Sequence, residues 1–211
     1  MVFRLGIGGP VGSGKTALIE ALVPELISRG WHPGVITNDI YTQEDARHIR
    51  ETLRDVLDPS YINGVETGSC PHTAVRDDPT MNLMAAAELS DEHPEVDIVI
   101  FESGGDNLTL TFSPALADQF VFVLDTAEGQ KMPKKRGPGI TDSDILIINK
   151  IDIAPYVRCD ADQMRADALE VRSGKPVIGT NCVEGTGIAE FADLVEQAAG
   201  GPKAARTQAA V

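Results

Sequence analysis

The run Gly9-Pro10-Val11-Gly12-Ser13-Gly14-Lys15-Thr16 sets a glycine, four residues, a second glycine, a lysine and a threonine in the order of a phosphate-binding loop. Gly9, Gly12 and Gly14 let backbone N–H groups around Ser13 curl about phosphate oxygens, and a helix starting at Lys15 adds the positive end of its dipole. The Lys15 ammonium meets the β and γ phosphates of a nucleoside triphosphate, and the Thr16 hydroxyl holds Mg²⁺. That metal needs carboxylates, which in a parallel sheet project from strand ends beside the loop. Glu102 closes an apolar run at 96–101 and is followed by a glycine pair, Gly104-Gly105, suited to sensing the γ phosphate; Asp39 closes the run 34–38. The plain alternative for either is a solvated acid at a strand end.

A second group reads the base. Asn149-Lys150-Ile151-Asp152 follows the apolar run Ile145-Leu-Ile-Ile148, and a carboxylate at Asp152 accepts from both the N1–H and the exocyclic amino group of guanine. Adenine offers no matching donors, so GTP is expected over ATP. Thr180-Asn181, at the end of the last apolar run, is placed to add backbone contacts to the base. A third group is soft. Cys70-Pro71-His72 carries a thiol and an imidazole two residues apart in a glycine-containing loop, where proline favours an extended Cys70 and both side chains face one way. Two ligands do not complete a four-coordinate site, but two copies do: two sulfurs and two nitrogens suit tetrahedral Zn²⁺ or square-planar Ni²⁺ or Cu²⁺. The pair therefore predicts a dimer. The basic stretch 131–136 (Lys-Met-Pro-Lys-Lys-Arg) is either a solvated loop or a docking surface for an acidic partner.

These groups need a scaffold that collects strand ends. Short β-rich runs at 3–8, 34–38, 60–65, 96–102, 119–125, 144–149 and 176–181 alternate with helix-period stretches at 15–29, 43–57, 80–90, 160–171 and 187–199. That alternation predicts an α/β fold, a mostly parallel central sheet of about seven strands flanked by helices. Pro24 falls inside the first helix and is expected to kink it or cost a turn. A single domain is expected over 1–200, with a flexible tail at 201–211. Against 18 basic residues stand 32 acidic ones, a net charge of −14 that repels nucleic acid and anionic lipid. Apolar runs are too short to span a bilayer, and no secretory leader is visible at the N-terminus, so the protein is expected in the cytoplasm. With three cysteines (Cys70, Cys159 and Cys182), no disulfide framework is expected.

The phosphate loop, the Cys-Pro-His loop, Glu102-Ser-Gly-Gly-Asp-Asn-Leu108 and Asn149-Lys-Ile-Asp152 occur in an order that resembles the urease accessory GTPases of the UreG family. The likeness runs to about Val157 and includes Thr37-Asn-Asp-Ile-Tyr-Thr42, Glu66-Thr-Gly68, Phe112-Ser-Pro114 and Gly137-Pro-Gly-Ile-Thr141. The last segment separates the chain from the related hydrogenase nickel GTPases of the HypB family, the alternative reading; a P-loop small-molecule kinase would leave Asn149 to Asp152 unexplained. The resemblance implies slow GTP hydrolysis, a GTP-dependent homodimer with nickel between the Cys70 and His72 pairs, and delivery of Ni²⁺ to apo-urease with other accessory proteins. It implies that Gly12 to Thr16 bind phosphate and Mg²⁺, that Asp152 binds guanine, and that Asp39 and Glu102 serve the magnesium site or orient the attacking water. Two departures stand out: Ser69 and Arg136 each occupy positions where that family usually has glycine.

Overall fold

A computed structural model describes residues 2–39, 44–68, 72–105 and 107–203; Ser69, Cys70 and the expected tail beyond 203 lie outside the described residues. Seven strands, β1 (Phe3–Gly8), β2 (Pro33–Asp39), β3 (Ile62–Glu66), β4 (Ile98–Glu102), β5 (Gln119–Asp125), β6 (Ile145–Asn149) and β7 (Val177–Gly179), form one sheet in the order β3-β2-β4-β1-β5-β6-β7. Every pairing is parallel, as the alternation of elements predicts. The chain leaves β1 for β2 on one side and leaves β4 for β5 on the other, so the strand order reverses around β1. That reversal opens a crevice at the carboxyl ends, where ligands of open α/β sheets bind.

Helices α1 (Lys15–Ser28), α2 (Glu44–Thr52), α3 (Thr80–Glu92), α4 (Pro138–Thr141), α5 (Ala161–Val171) and α6 (Ile188–Ala198) cover both faces. One core packs Leu5, Ile7, Ile98 and Ile100 of the sheet under α1, α2 and α6, and the other packs Val99, Phe101, Phe122 and Leu146 under α3, α4 and α5. Strand residues alternate between the two cores because successive side chains point to opposite faces. On the second face β1 offers Arg4 and then the glycines Gly6 and Gly8, and the reason for the glycines is crowding: a Cβ at Gly6 would lie 2.6 Å from the Phe112 ring, and one at Gly8 would lie 2.3 Å from Leu110. The segment between β4 and β5 thus lies directly on the central strand.

Helix α1 runs unbroken through Pro24. The proline does not end the helix because Leu18, Ile19, Leu22, Val23 and Leu26 are fully buried. Each is worth about 1.5–3 kcal/mol against a proline cost of about 3 kcal/mol. Helix α2 ends at Thr52, earlier than its period suggests, and Leu53 and Leu57 reach the core from the turns that follow. Strands β4 and β7 are shorter than their apolar runs, and α4 and the π-helical turn Thr73–Asp77 carry too few residues to show a period.

Candidate functional site

The phosphate loop sits between β1 and α1, with Gly14 left-handed at φ 92° as the N-cap of the helix. Gly14 is required twice over, by that φ and because a Cβ there would lie 2.3 Å from Asn149 Nδ2. The buried Lys15 ammonium donates to the carbonyls of Gly9 at 3.0 Å and Pro10 at 3.2 Å, so its charge is held across the mouth of the loop. Gly105 packs against the exposed Val11 at the loop tip; its Cβ would lie 1.9 Å from Val11 Cγ2. The glycine pair after Glu102 therefore touches the phosphate loop.

Thr16 and Glu102, 86 residues apart in sequence, meet at the loop: the Thr16 hydroxyl donates to Glu102 Oε1 at 2.7 Å. Glu102 is 1% exposed, and burial pushes its carboxyl up to about 7, opposed by the Thr16 hydrogen bond and the Lys15 charge. Its other oxygen, Oε2, is buried with no hydrogen-bond partner among the described residues. An orphaned hard oxygen beside a hydroxyl fits Mg²⁺, which takes one or two carboxylates and leaves its other positions to water and phosphate. Asp39 ends β2 two residues beyond Thr37, the register partner of Glu102. Its carbonyl accepts from Thr67 N–H at 2.9 Å, tying β2 to the chain leaving β3.

The segment from Asn149 to Asp152 divides its labour. Asn149 points inward, donating to the Ser13 carbonyl at 3.1 Å while its Oδ1 accepts from the Thr180 hydroxyl at 2.9 Å. It therefore fixes the phosphate loop to the end of β7. Lys150, left-handed at φ 57°, bridges the Gly12 carbonyl and the buried Asp125, 2.7 Å away. Asp152 is exposed and lines a cleft of about 430 Å³ with Ile151, Asn181 and Thr186. Asn181 shapes that cleft: its backbone pairs in both directions with Thr186, and its Oδ1 accepts from Val183 N–H at 3.1 Å.

Of the metal pair, Cys70 lies outside the described residues, and His72 stands at the start of the turn Thr73–Asp77 with φ −61° and ψ −39°. The extended geometry expected for the pair thus stops short of His72, which is helical. Cys159 is buried and Cys182 partly so, its thiol 3.3 Å from Asn149 Oδ1. His32 and His48 pair with Asp97 and Glu20, and His93 stacks on Tyr61 at 3.9 Å. In the basic stretch, Lys134 pairs with the buried Asp167 at 2.9 Å, and Arg136 is left-handed at φ 54°.

Three acidic groups escaped the sequence reading. The half-buried Asp45 on α2 has its carboxyl raised by burial and then by Asp39, with Lys15 opposing. Glu128 is pushed up to about 7 by burial and by Asp125, and both its oxygens are buried without a hydrogen-bond partner among the described residues. Asp125 accepts from the N–H groups of Ala127 at 2.7 Å and Glu128 at 3.1 Å. Asp125 ends the apolar run 119–125 as Glu102 ends its own, which is the signal that could have found it; Asp45 and Glu128 sit in polar stretches without one.

The parallel sheet, the reversal at β1 and the loop between β1 and α1 define a P-loop nucleotide-binding protein. A family model described as "CobW/HypB/UreG, nucleotide-binding domain" matches residues 3–179. Urease accessory protein UreG 2 of Streptomyces griseus is 68% identical over 195 residues, covering 92% of this chain and 87% of its own. The UreG of Yersinia pestis is 57% identical over 194 residues, covering 92% and 88%. The chain belongs to the CobW/HypB/UreG family and, within it, to the UreG urease accessory proteins. A crystal structure of HypB from Helicobacter pylori in complex with nickel superposes with a TM-score of 0.76 at 20% identity, covering 94% of this chain and 87% of its own, a likeness of fold.

Proposed function

We propose that this protein is a GTP-driven nickel carrier for urease maturation: it binds GTP with Mg²⁺, pairs with a second copy to hold Ni²⁺ between their Cys70 and His72 side chains, and releases the metal when GTP is hydrolysed. The observation that carries the reading is the junction of Thr16 with the orphaned Glu102 at the phosphate loop, in a chain whose cleft is lined by Asp152. Lys15 exchanges the Gly9 and Pro10 carbonyls for β and γ phosphate oxygens, a charge-assisted contact without backbone rearrangement. Asp152 accepts the two guanine donors, while Asn149 and Lys150 keep the base cleft in register with the phosphate loop.

Thr16 and Glu102 would hold Mg²⁺, with Asp39 beside them, and the ion supplies neutralisation of charge building on the phosphate oxygens. With Glu102 on the metal, the Asp39 carboxylate accepts a hydrogen bond from the attacking water and turns it toward the γ phosphorus. With no arginine finger or catalytic glutamine evident in the sequence, turnover by the protein alone is slow, well below about 10 per second. Nickel is cargo: each chain contributes one thiolate and one imidazole, so two chains make the four-coordinate site. The nickel complex of a fold relative and the UreG relatives support this choice over zinc.

The test is nucleotide selectivity. Purified protein with Mg²⁺ should bind and slowly hydrolyse GTP in preference to ATP, and Asp152→Ala should weaken GTP binding at least about tenfold, the scale of losing a paired charged acceptor, with ATP binding unchanged. Equal use of both nucleotides would remove the guanine reading.

A further inference from the structure

Two asparagines away from the proposed ligand contacts join the phosphate site to the turn that follows His72. Asn38 on β2 and Asn82 on α3 are fully buried. Their amides face one another: Asn38 Nδ2 donates to Asn82 Oδ1 at 3.0 Å, and Asn82 Nδ2 donates to Asn38 Oδ1 at 2.8 Å. Each amide nitrogen has a second N–H. Asn38 directs its own to the main-chain carbonyl of Glu102 at 2.9 Å, and Asn82 directs its own to the main-chain carbonyl of Ala74 at 2.9 Å. A bridge of four hydrogen bonds thus runs from the end of β4 to a residue two beyond His72. Asn38 also immediately precedes Asp39, so one end of the bridge is bonded to the backbone of one acid of the phosphate site and adjoins the other in the chain.

Every N–H of the pair has an acceptor, and neither residue reaches water. If either end shifts alone, a buried donor is left unsatisfied, so the pair favours moving both ends together. We infer that the Asn38–Asn82 pair is a positioning element that makes the turn Thr73–Asp77, and His72 at its head, follow the nucleotide state of Glu102 and Asp39. The inference rests on the reading of those carboxylates as facing magnesium and phosphate. It does not depend on which metal the Cys70 loop takes. A pair that merely filled the core would affect stability and leave the response of the turn to nucleotide intact.

The experiment follows hydrogen exchange of amides 73–78 in the full chain with Mg²⁺ and either a non-hydrolysable GTP analogue or GDP. Coupling between sites is commonly worth about 5–150-fold, and about a tenfold difference in exchange between the two nucleotides is expected in the native protein. The double variant Asn38→Leu/Asn82→Leu removes both amides and keeps the branching of each side chain, and replacing both partners together leaves neither amide unpaired. It should reduce the difference to below about twofold while binding of a fluorescent GTP analogue stays within about twofold of native. If thermal melting shows that the double variant does not fold, Asn82→Ala replaces it, since it removes both the acceptor that Asn38 uses and the donor that Ala74 uses without burying a charge; the same loss of response is expected. A native-like response in the folded variant would overturn the inference, as would loss of nucleotide binding together with the response, or the absence of any response in nucleotide-bound native protein. Failure to form a nickel-linked dimer while the exchange response persists would count against the nickel reading alone.

Discussion

Glu102 is where pH acts on the phosphate site. Burial lifts its carboxyl to about 7 and that of Glu128 to about 7, both above the ordinary 4.5. Between those values these two groups hold more protons in the native protein than in the unfolded chain, so their contribution to stability is greatest at the acid end, falls as pH rises through about 4.5 to 7, and is flat above. Glu102→Gln keeps an oxygen to accept from Thr16 and removes the buried charge. The variant should melt a few degrees above native protein at pH 8 and close to it at pH 5, at about 2–4 °C per kcal/mol. Magnesium with nucleotide should reverse the order at pH 8, because the carboxylate has a cation to meet only in the native protein. Melting curves at the two pH values check both statements; a variant less stable than native at pH 8 without ligand would contradict them. The phosphate loop was legible because its spacing is imposed by ligand geometry, and Glu102 because it ends an apolar run on the strand beside that loop. Asn38 and Asn82 were not, because an asparagine in a sequence gives no sign that it is buried against another 44 residues away.

At the scale of elements, strands and helices were legible wherever period and burial agree, as in β1 and β5, whose limits match the apolar runs. Segments shorter than two turns, such as α4, escape because tertiary contacts make them: Gly137 lies against Leu108, and Gly139 N–H donates to the Leu108 carbonyl at 2.9 Å. The segment after Glu102 is thereby attached to the basic stretch. Arg136, beside that contact, is left-handed at φ 54° and ψ 37°, where a Cβ costs about 1–2 kcal/mol and the flexibility of glycine returns about 0.5–1 kcal/mol of the penalty. Arg136→Gly should therefore raise the melting temperature by about 1–2 °C. A fall of that size in a thermal scan would show that the arginine makes a compensating contact.

For the whole molecule, the sheet gathers the ends of β1, β2, β4 and β6 at one edge, so the phosphate loop, the two carboxylates and the base cleft share a single rim. The chain running from β3 toward His72 leaves the same rim, tied to Asp39 through Thr67. That arrangement was legible in outline, since alternating elements dictate parallel strands and parallel strands align their ends. How two copies would meet at the proposed Cys70 and His72 site is a property of two chains, and one sequence carries only half of such a ligand set. The most direct measurement is the solution mass of the 22.5 kDa chain with Mg²⁺ and a non-hydrolysable GTP analogue, with and without Ni²⁺, beside a Cys70→Ala/His72→Ala variant. The account predicts a dimer holding one nickel per two chains, with the nickel and the nickel-linked dimer lost in the variant. A monomer under every condition, with nucleotide binding intact, would contradict it.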